Sequence, residues 1–283
     1  MTDDAMNGAF ARTAFLGTGS MSGAILRGLL AAGAPADRFR ATTRTAASAE
    51  RLRALGVDAS AVENDADANR AAVQGARLVV LGVKPFAVAD LLREIADALE
   101  PNAIVVSVAV GIRSATMEAL LPPSIRVVRA LPNTPVAVGR GVTGLSAGAR
   151  ADPAAVDEAA ALFSASGSVV RVEEPRLDAL SAVSGSGPAY VFLLIEQWER
   201  AAVSLGFTPA EAAVLVQGTV RGAMELLAAT ESPDPAALRR AVTSPRGTTE
   251  RAIAVLETAD LESLLVRASE AAIARAVELA ESN

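Results

Sequence analysis

Residues 12–30, RTAFLGTGSMSGAILRGLL, constrain the fold more than any other stretch of this chain. A short apolar run, Arg12–Leu16, passes through Gly17-Thr18-Gly19 directly into an Ala- and Leu-rich segment, Ser20–Ala32. A strand that becomes a helix within three residues needs a tight turn, which Gly17 permits, and Gly19 lets the backbone come close to a ligand. The helix start then aims its N–H groups and the positive end of its dipole at the same point, a natural anion site. This context predicts a dinucleotide-binding turn, with a purely structural turn as the alternative. Ser22, followed by Gly23, fills the third small position, so the fingerprint is relaxed.

The rest of the first 173 residues repeats the alternation. Phe39–Thr43, Leu78–Val83, Ile104–Val110, Arg126–Ala130 and Ser168–Val172 are expected strands. Ala46–Leu55, Ala87–Ala98, Ser114–Leu120 and Pro153–Ser164 are expected helices. The strands read as unbroken apolar runs, as strands do when both sheet faces are covered. The expected fold is therefore α/β, a Rossmann-type doubly wound parallel sheet. Beyond Glu173-Glu174-Pro175 only helical patterns follow, which divides the chain into a dinucleotide-binding domain at 1–173 and an all-helical domain at 174–283. The helix beginning PAYVFLLIEQW at Pro188 is apolar nearly all round, so it needs cover on more than one side. About 110 residues of helix offer little interior, and a second copy of the chain is expected to supply the cover.

Composition narrows the chemistry. Of 283 residues none is histidine or cysteine, and lysine occurs once, as Lys84, among 26 basic residues. No disulfide, thiolate or imidazole chemistry is available, and no metal site is expected. The net charge is −6 with acids and bases interleaved, which argues against nucleic acid as a partner. The longest apolar runs, such as Ala189–Ile195, are far shorter than the roughly 20 residues of a membrane span. The opening residues MTDDAMNGAFAR carry acids where a secretory leader needs positive charge, and a cytoplasmic protein is expected.

Ligands of open parallel sheets bind beyond the strand carboxyl ends. At the end of the second expected strand stands Thr42-Thr43-Arg44-Thr45, without the carboxylate that would favour NADH. Hydroxyls with Arg44 suit a 2′-phosphate, so NADPH is the expected cofactor, with NADH as the alternative. The next strand ends lead into Val83-Lys84-Pro85, Ala109-Val110-Gly111 and Pro132-Asn133-Thr134, which would border the nicotinamide end. In the helical part, Ser184-Gly185-Ser186-Gly187 reads as a break between helices, and the N–H groups at Gly247, Thr248 and Thr249 form a carboxylate cradle.

Hydride reduction of a carbonyl leaves an alkoxide that wants a placed acid. The single tyrosine, Tyr190, has Leu194 where a Tyr-x-x-x-Lys pair would need lysine, and no lysine follows Lys84. A protonated cyclic imine already carries its proton, so orientation against the nicotinamide supplies much of the rate. The shortage of acid–base side chains points to C=N reduction. Reductases of other imines or hydroxyacids on the same architecture, and a non-catalytic NADPH sensor, remain competing readings.

These residues resemble the pyrroline-5-carboxylate reductase family from Arg12 to about Ala280. The likeness lies in GTGSM at 17–21, VKP at 83–85, RALPNTPVAVGRGVT at 129–143, DALSAVSGSGPAY at 178–190 and AVTSPRGTTERAIAVLE at 241–257. It implies reduction of 1-pyrroline-5-carboxylate to L-proline with NAD(P)H, the last step of proline synthesis. It places Gly17, Gly19, Ser20 and Met21 at the pyrophosphate, Arg44 by the adenosine phosphate and Asn69 at the adenosine ribose. Val83, Lys84, Pro85 and Ala109 would line the remaining cofactor. Val242, Ser244, Gly247, Thr248 and Thr249 would grip the substrate carboxylate, with Thr249 hydrogen-bonded to the ring nitrogen. The resemblance also implies an intertwined homodimer sharing its active site between subunits, and further assembly up to a decamer. At one position the chain departs from the family: Arg246 stands where Ser-Pro-Gly-Gly has its first glycine, and a side chain there needs a compatible backbone angle.

Overall fold

A computed structural model describes residues 11–231 and 234–281. The chain divides into two compact units, one running through Ser186 and taking in the last helix from Ala271, the other Gly187–Glu270. The first unit is built on an eight-stranded sheet in the order β3-β2-β1-β4-β5-β6-β7-β8. Its strands are β1 (Thr13–Leu16), β2 (Phe39–Thr43), β3 (Asp58–Ala61), β4 (Leu78–Leu81), β5 (Ile104–Ser107), β6 (Arg126–Pro132), β7 (Gly141–Ala147) and β8 (Gly167–Arg171). β3 through β6 in that order are parallel, β7 pairs antiparallel with β6, and β8 is parallel to β7.

The apolar runs divide their alternate residues between two cores. Phe15, Val80 and Val106 join one, with Ile25, Leu26 and Leu29 of α1 (Ser20–Ala31). Leu16, Val79, Leu81 and Val105 join the other, with Val73 of α3 (Ala68–Val73) and Leu91, Leu92 and Ile95 of α4 (Val88–Ile95). Phe15 and Phe39 meet edge to face in the first core, 6.0 Å between ring centroids. The sheet is thus covered on both faces, as continuous apolar strands require.

Three elements escape the sequence pattern. β3 is DASA, with no β-branched residue; edge pairing fixes it, with Arg40 opposite Asp58 and their side chains 3.6 Å apart. The short helix α3 follows it. β7 carries two glycines, and a Cβ on Gly144 would lie 2.5 Å from the Leu180 side chain, so glycine there makes room for a packed leucine. The strands expected to reach Val83 and Val110 stop at Leu81 and Ser107, leaving the following residues as loops at the sheet edge.

The small residues before Gly187 do not break the chain as expected. α7 (Leu177–Leu180) widens into a π turn, Ser181–Gly185, in which the Ser186 N–H donates to the Ser181 carbonyl at 2.9 Å. Such a turn leaves carbonyls short of partners, and Asn133 Nδ2 donates to the Ser184 carbonyl at 2.9 Å. Next to it Glu174 accepts from the Ser114 N–H and hydroxyl, both at 2.8 Å, and from buried Arg129 at 3.0 Å.

The second unit is helical: α8 (Gly187–Ser204), α9 (Pro209–Ala228), α10 (Pro235–Ala241), α11 (Thr248–Glu257) and the start of α12 (Leu261–Glu281). Thr208 and Glu211 form a reciprocal capping box at the start of α9, with Pro209 in its first turn. Its core is small: Ala202, Ala212 and Val216, with Ile195 and Val220 against them. Phe192, Leu193, Leu194 and Trp198 of α8 remain exposed in the single chain.

Burial opposes ionisation of Glu174, but the bonds from Ser114 and Arg129 outweigh it and hold its carboxyl below the ordinary glutamate value. A carboxylate with a lowered folded pKa adds stability that is complete above the unfolded value, about 4.3, and is lost as pH falls below it. Urea-unfolding midpoints measured from neutral pH into this acid range are therefore expected to fall less steeply for Glu174→Gln than for the parent. Equal slopes would contradict the role given to this carboxylate.

Candidate active site

The turn after β1 takes its shape from one contact. Gly17 has φ +72°, and a Cβ there would lie 2.4 Å from Val83 Cγ1 and 3.1 Å from the Val83 nitrogen. Only glycine fits both the angle and the space. The Gly17 N–H donates to the Thr42 hydroxyl at 3.1 Å, and the Thr18 N–H to the Thr42 carbonyl at 2.7 Å. Thr42 in turn donates to Asn69 Oδ1 at 2.7 Å, and Asn69 Nδ2 donates to Glu94 at 3.3 Å. A chain of side chains from three elements thus fixes the glycine turn. The Thr42 hydroxyl, expected among those facing a 2′-phosphate, is instead buried and committed to Gly17 and Asn69, and Glu94 was not singled out from the sequence.

At the start of α1 the N–H groups of Ser20, Met21 and Ser22 find no acceptor among the described residues. Thr18 turns its hydroxyl back to the Phe15 carbonyl at 3.1 Å, and Met21 packs on the core, so backbone donors present themselves to a ligand. A cavity of about 460 Å³ opens here, lined by Thr18, Gly19 and Ser20 together with Arg27, Ser48 and Arg51. Open N–H groups beside a cavity suit the pyrophosphate of a dinucleotide, and the group fits.

The other expected cofactor residues are distributed around the sheet edge. Thr43 is buried at the end of β2, its hydroxyl donating to the Thr45 carbonyl at 2.9 Å, and Arg44 follows it, exposed. Val83 packs on Gly17, while Lys84 is exposed ahead of a short 3-10 turn, Pro85–Ala87. Ala109 is buried, its N–H donating to Ser107 Oγ at 3.3 Å. Asn133 is also buried: its Oδ1 accepts from the Val142 N–H at 2.8 Å while Nδ2 holds Ser184, so its amide ties loops together. Among the described residues no group of three or more His, Cys, Asp or Glu side chains could hold a metal ion.

In the helical unit, the loop between α10 and α11 makes a second helix-start site. The Gly247 N–H, expected to be one of the cradle's donors, is instead spent on the turn, donating to the Ser244 carbonyl at 2.9 Å, and a Cβ on Gly247 would lie 2.4 Å from Ser244 Oγ. The N–H groups of Thr248, Thr249 and Glu250 find no acceptor among the described residues, and Thr249 is half-buried with its hydroxyl uncommitted. Val242 is exposed beside them. Arg239 and Glu257, 2.9 Å apart, tie α10 to α11. Arg246 sits at φ +62°, and its N–H donates to a Glu250 carboxylate oxygen at 2.8 Å. The side chain at 246 is thus accommodated in the left-handed region, at a cost of roughly 1–2 kcal/mol.

The doubly wound sheet with its glycine turn, joined to a helical unit, has the architecture of a nucleotide-binding oxidoreductase. Comparison with known proteins makes this specific. Residues 174–279 match the family model described as pyrroline-5-carboxylate reductase dimerisation, and residues 12–111 match one described as NADP oxidoreductase, coenzyme F420-dependent. The chain is 41% identical over 271 residues to the pyrroline-5-carboxylate reductase of Pseudomonas aeruginosa, covering 95% of this chain and 97% of that one. It is 34% identical over 271 residues to the mouse pyrroline-5-carboxylate reductase 3, covering 95% and 96%. A solved pyrroline-5-carboxylate reductase from Coxiella burnetii superposes with a TM-score of 0.88 at 38% identity, covering 95% of this chain and 98% of that one. The Plasmodium falciparum enzyme solved with NADP bound shares the fold, with a TM-score of 0.80 at 22% identity, covering 95% and 98%. The chain belongs to the pyrroline-5-carboxylate reductase family.

Gly17→Ala is expected to weaken NADPH binding at least about tenfold while the protein stays folded, because it displaces the turn rather than the core. Fluorescence titration of the reduced nicotinamide beside a far-ultraviolet circular dichroism spectrum tests this, and unchanged affinity would refute it. Arg246→Gly is expected to raise unfolding free energy by up to about 1 kcal/mol by removing left-handed strain, measured by urea denaturation. A loss of stability would mean that the arginine side chain makes contacts worth more than its backbone angle costs.

Proposed function

We propose that the chain reduces the C=N bond of 1-pyrroline-5-carboxylate to L-proline, with NADPH as hydride donor and NADH as the alternative. The observation that carries this reading is the open helix start at Thr248 and Thr249. Three unpaired N–H groups beside a free threonine hydroxyl match a carboxylate next to a ring nitrogen. A carboxylate at such a helix start is stabilised by about 0.3–1 kcal/mol, and up to about 2 where partly buried. Val242, Ser244 and Gly247 shape the cradle, and Thr249 hydrogen-bonds the ring nitrogen and holds the imine in one orientation.

NADPH, when bound, would supply a hydride to the carbon of the protonated imine, whose C=N π electrons become the lone pair of the neutral amine. Gly17, Thr18, Gly19, Ser20 and Met21 take the pyrophosphate. Thr43 and Arg44 border the adenosine end, and Asn69 lies at its ribose. Val83, Lys84, Pro85, Ala109 and Asn133 flank the nicotinamide end. Residues 1–173 are assigned to the cofactor and 174–283 to dimerisation and substrate.

Among the described residues one helical stretch, Glu174–Ser204, is long and apolar enough by length and composition to cross a membrane. It lies inside the segment matched by the dimerisation model, and the exposed Phe192, Leu193, Leu194 and Trp198 are read as its subunit interface. The reading is a cytoplasmic homodimer, intertwined through this helix and able to assemble further to a decamer.

Mixing the protein with NADPH and pyrroline-5-carboxylate and following reduced-nicotinamide absorbance tests the activity. Thr249→Ala is expected to lower kcat/KM for the imine about ten- to a hundredfold, the weight of a hydrogen bond to a charged group, with NADPH affinity unchanged. No oxidation at any pH would sink the reading. Equal losses in turnover and NADPH affinity would remove Thr249 from its assigned role.

A further inference from the structure

The cavity at the start of α1 extends beyond the pyrophosphate position, between α1 and α2 (Ala46–Arg53), and two guanidinium groups line that extension. Arg27, two turns along α1, folds back so that its NH1 would stand 3.2 Å from a Cβ on Gly23, pointing toward the glycine turn. Arg51 reaches back along α2 and donates to Ser48 Oγ at 2.9 Å. Thr45 also donates to Ser48 Oγ at 3.0 Å, which leaves the Ser48 hydroxyl hydrogen to give. Neither arginine has a carboxylate within ion-pair distance among the described residues. Elsewhere in this unit Arg40, Arg70, Arg77, Arg126, Arg129 and Arg171 are each paired with an acid, and Arg44, Arg53, Arg113 and Arg140, which among the described residues are not, do not line this cavity. Two unpaired cations and a free hydroxyl converging on one cavity beside a helix start are arranged for a second anion.

The neighbouring position at the start of α2, beside Arg44, is less suited to that anion. Glu63 already occupies it: its Oε1 accepts from the Ala46 N–H at 2.6 Å, and its own N–H donates to the Arg44 carbonyl at 3.3 Å. A dianion placed there would meet the Glu63 carboxylate. Arg44 does not line the cavity.

We propose that Ser48, Arg51 and Arg27 form the site that reads a monoester phosphate on the adenosine ribose, and that this trio, more than Arg44, sets the preference for NADPH over NADH. This rests on the reading of the first unit as the NADPH-binding part of a reductase. Two arms of one experiment test it. In the first, kcat/KM is measured with NADPH and with NADH for the parent and for Arg27→Gln, Arg51→Gln and Arg44→Ala. The NADPH-to-NADH ratio is expected to fall about tenfold for each of Arg27→Gln and Arg51→Gln, the weight of one charge-assisted hydrogen bond, and less for Arg44→Ala. In the second, calorimetry compares 2′,5′-ADP with 5′-ADP on the same proteins, with tighter binding of 2′,5′-ADP expected in the parent and that advantage lost in both glutamine variants. The second arm needs no turnover, so an inactive protein would count against the imine-reductase reading and still decide the phosphate site. Ratios unchanged within about twofold, or a collapse only in Arg44→Ala, would overturn the proposal. So would equal binding of the two nucleotides by the parent.

Discussion

The close approach of Gly17 to Val83 is the constraint on which the first unit depends. It brings the end of β1 against the residues that follow β4, the strand beside it in the sheet. With no Cβ at position 17, the turn lies flat enough for α1 to begin immediately and direct three backbone N–H groups to one place. Ser22 then packs against Gly82, where a Cβ would stand 1.8 Å from its hydroxyl oxygen. The two glycines answer each other across the turn. Thr42, Asn69 and Glu94 hold the arrangement from β2, α3 and α4. Preorganisation of this kind matters because backbone donors that are already in place lose little freedom when an anion arrives.

Much of this was legible in the sequence, for a physical reason that also marks where legibility stops. β1, β4 and β5 are apolar on both sides, so their composition alone declares them strands, while β2 and β6 are read from β-branched and apolar residues interrupted by threonine or arginine. The glycine turn announces itself through residues whose backbone freedom no other type supplies. β3 is different: Asp58–Ala61 is a strand because an edge needed pairing, and nothing in Asp-Ala-Ser-Ala says so. The same holds for the two roles of Asn133, whose bonds to Val142 and Ser184 arise from elements far apart in the chain. The cluster of Arg27, Ser48 and Arg51 was equally hidden, since it forms only when α1 and α2 lie side by side on one sheet face.

The helical unit follows a different economy of burial. Its own core consists of small residues at Ala202, Ala212 and Val216, while its large apolar side chains stay exposed. Three such residues remove too little apolar surface from water to offset the ordering of some eighty others, at roughly 1–2 kcal/mol of backbone entropy per residue. The second unit is therefore stable as part of an assembly, and its match to a dimerisation family agrees with that requirement.

Both helix starts open backbone N–H groups by the same device, and such groups suit anions. Each uses open backbone N–H groups that follow a glycine, those of Ser20, Met21 and Ser22 in one unit and of Thr248, Thr249 and Glu250 in the other. Backbone donors do not titrate, and arginine keeps its charge at every pH at which the protein folds. With neither histidine nor cysteine, the chain lacks the side chains that ordinarily change charge between about pH 5 and 8. Binding of phosphate and carboxylate at these places would thereby be insulated from pH near neutrality. For a reductase of cyclic imines the proton that matters is then the one on the substrate's own nitrogen. On the proposed placement of the substrate, the protein's task reduces to holding that nitrogen beside the Thr249 hydroxyl in a fixed orientation, which a rigid helix start can do without a general acid.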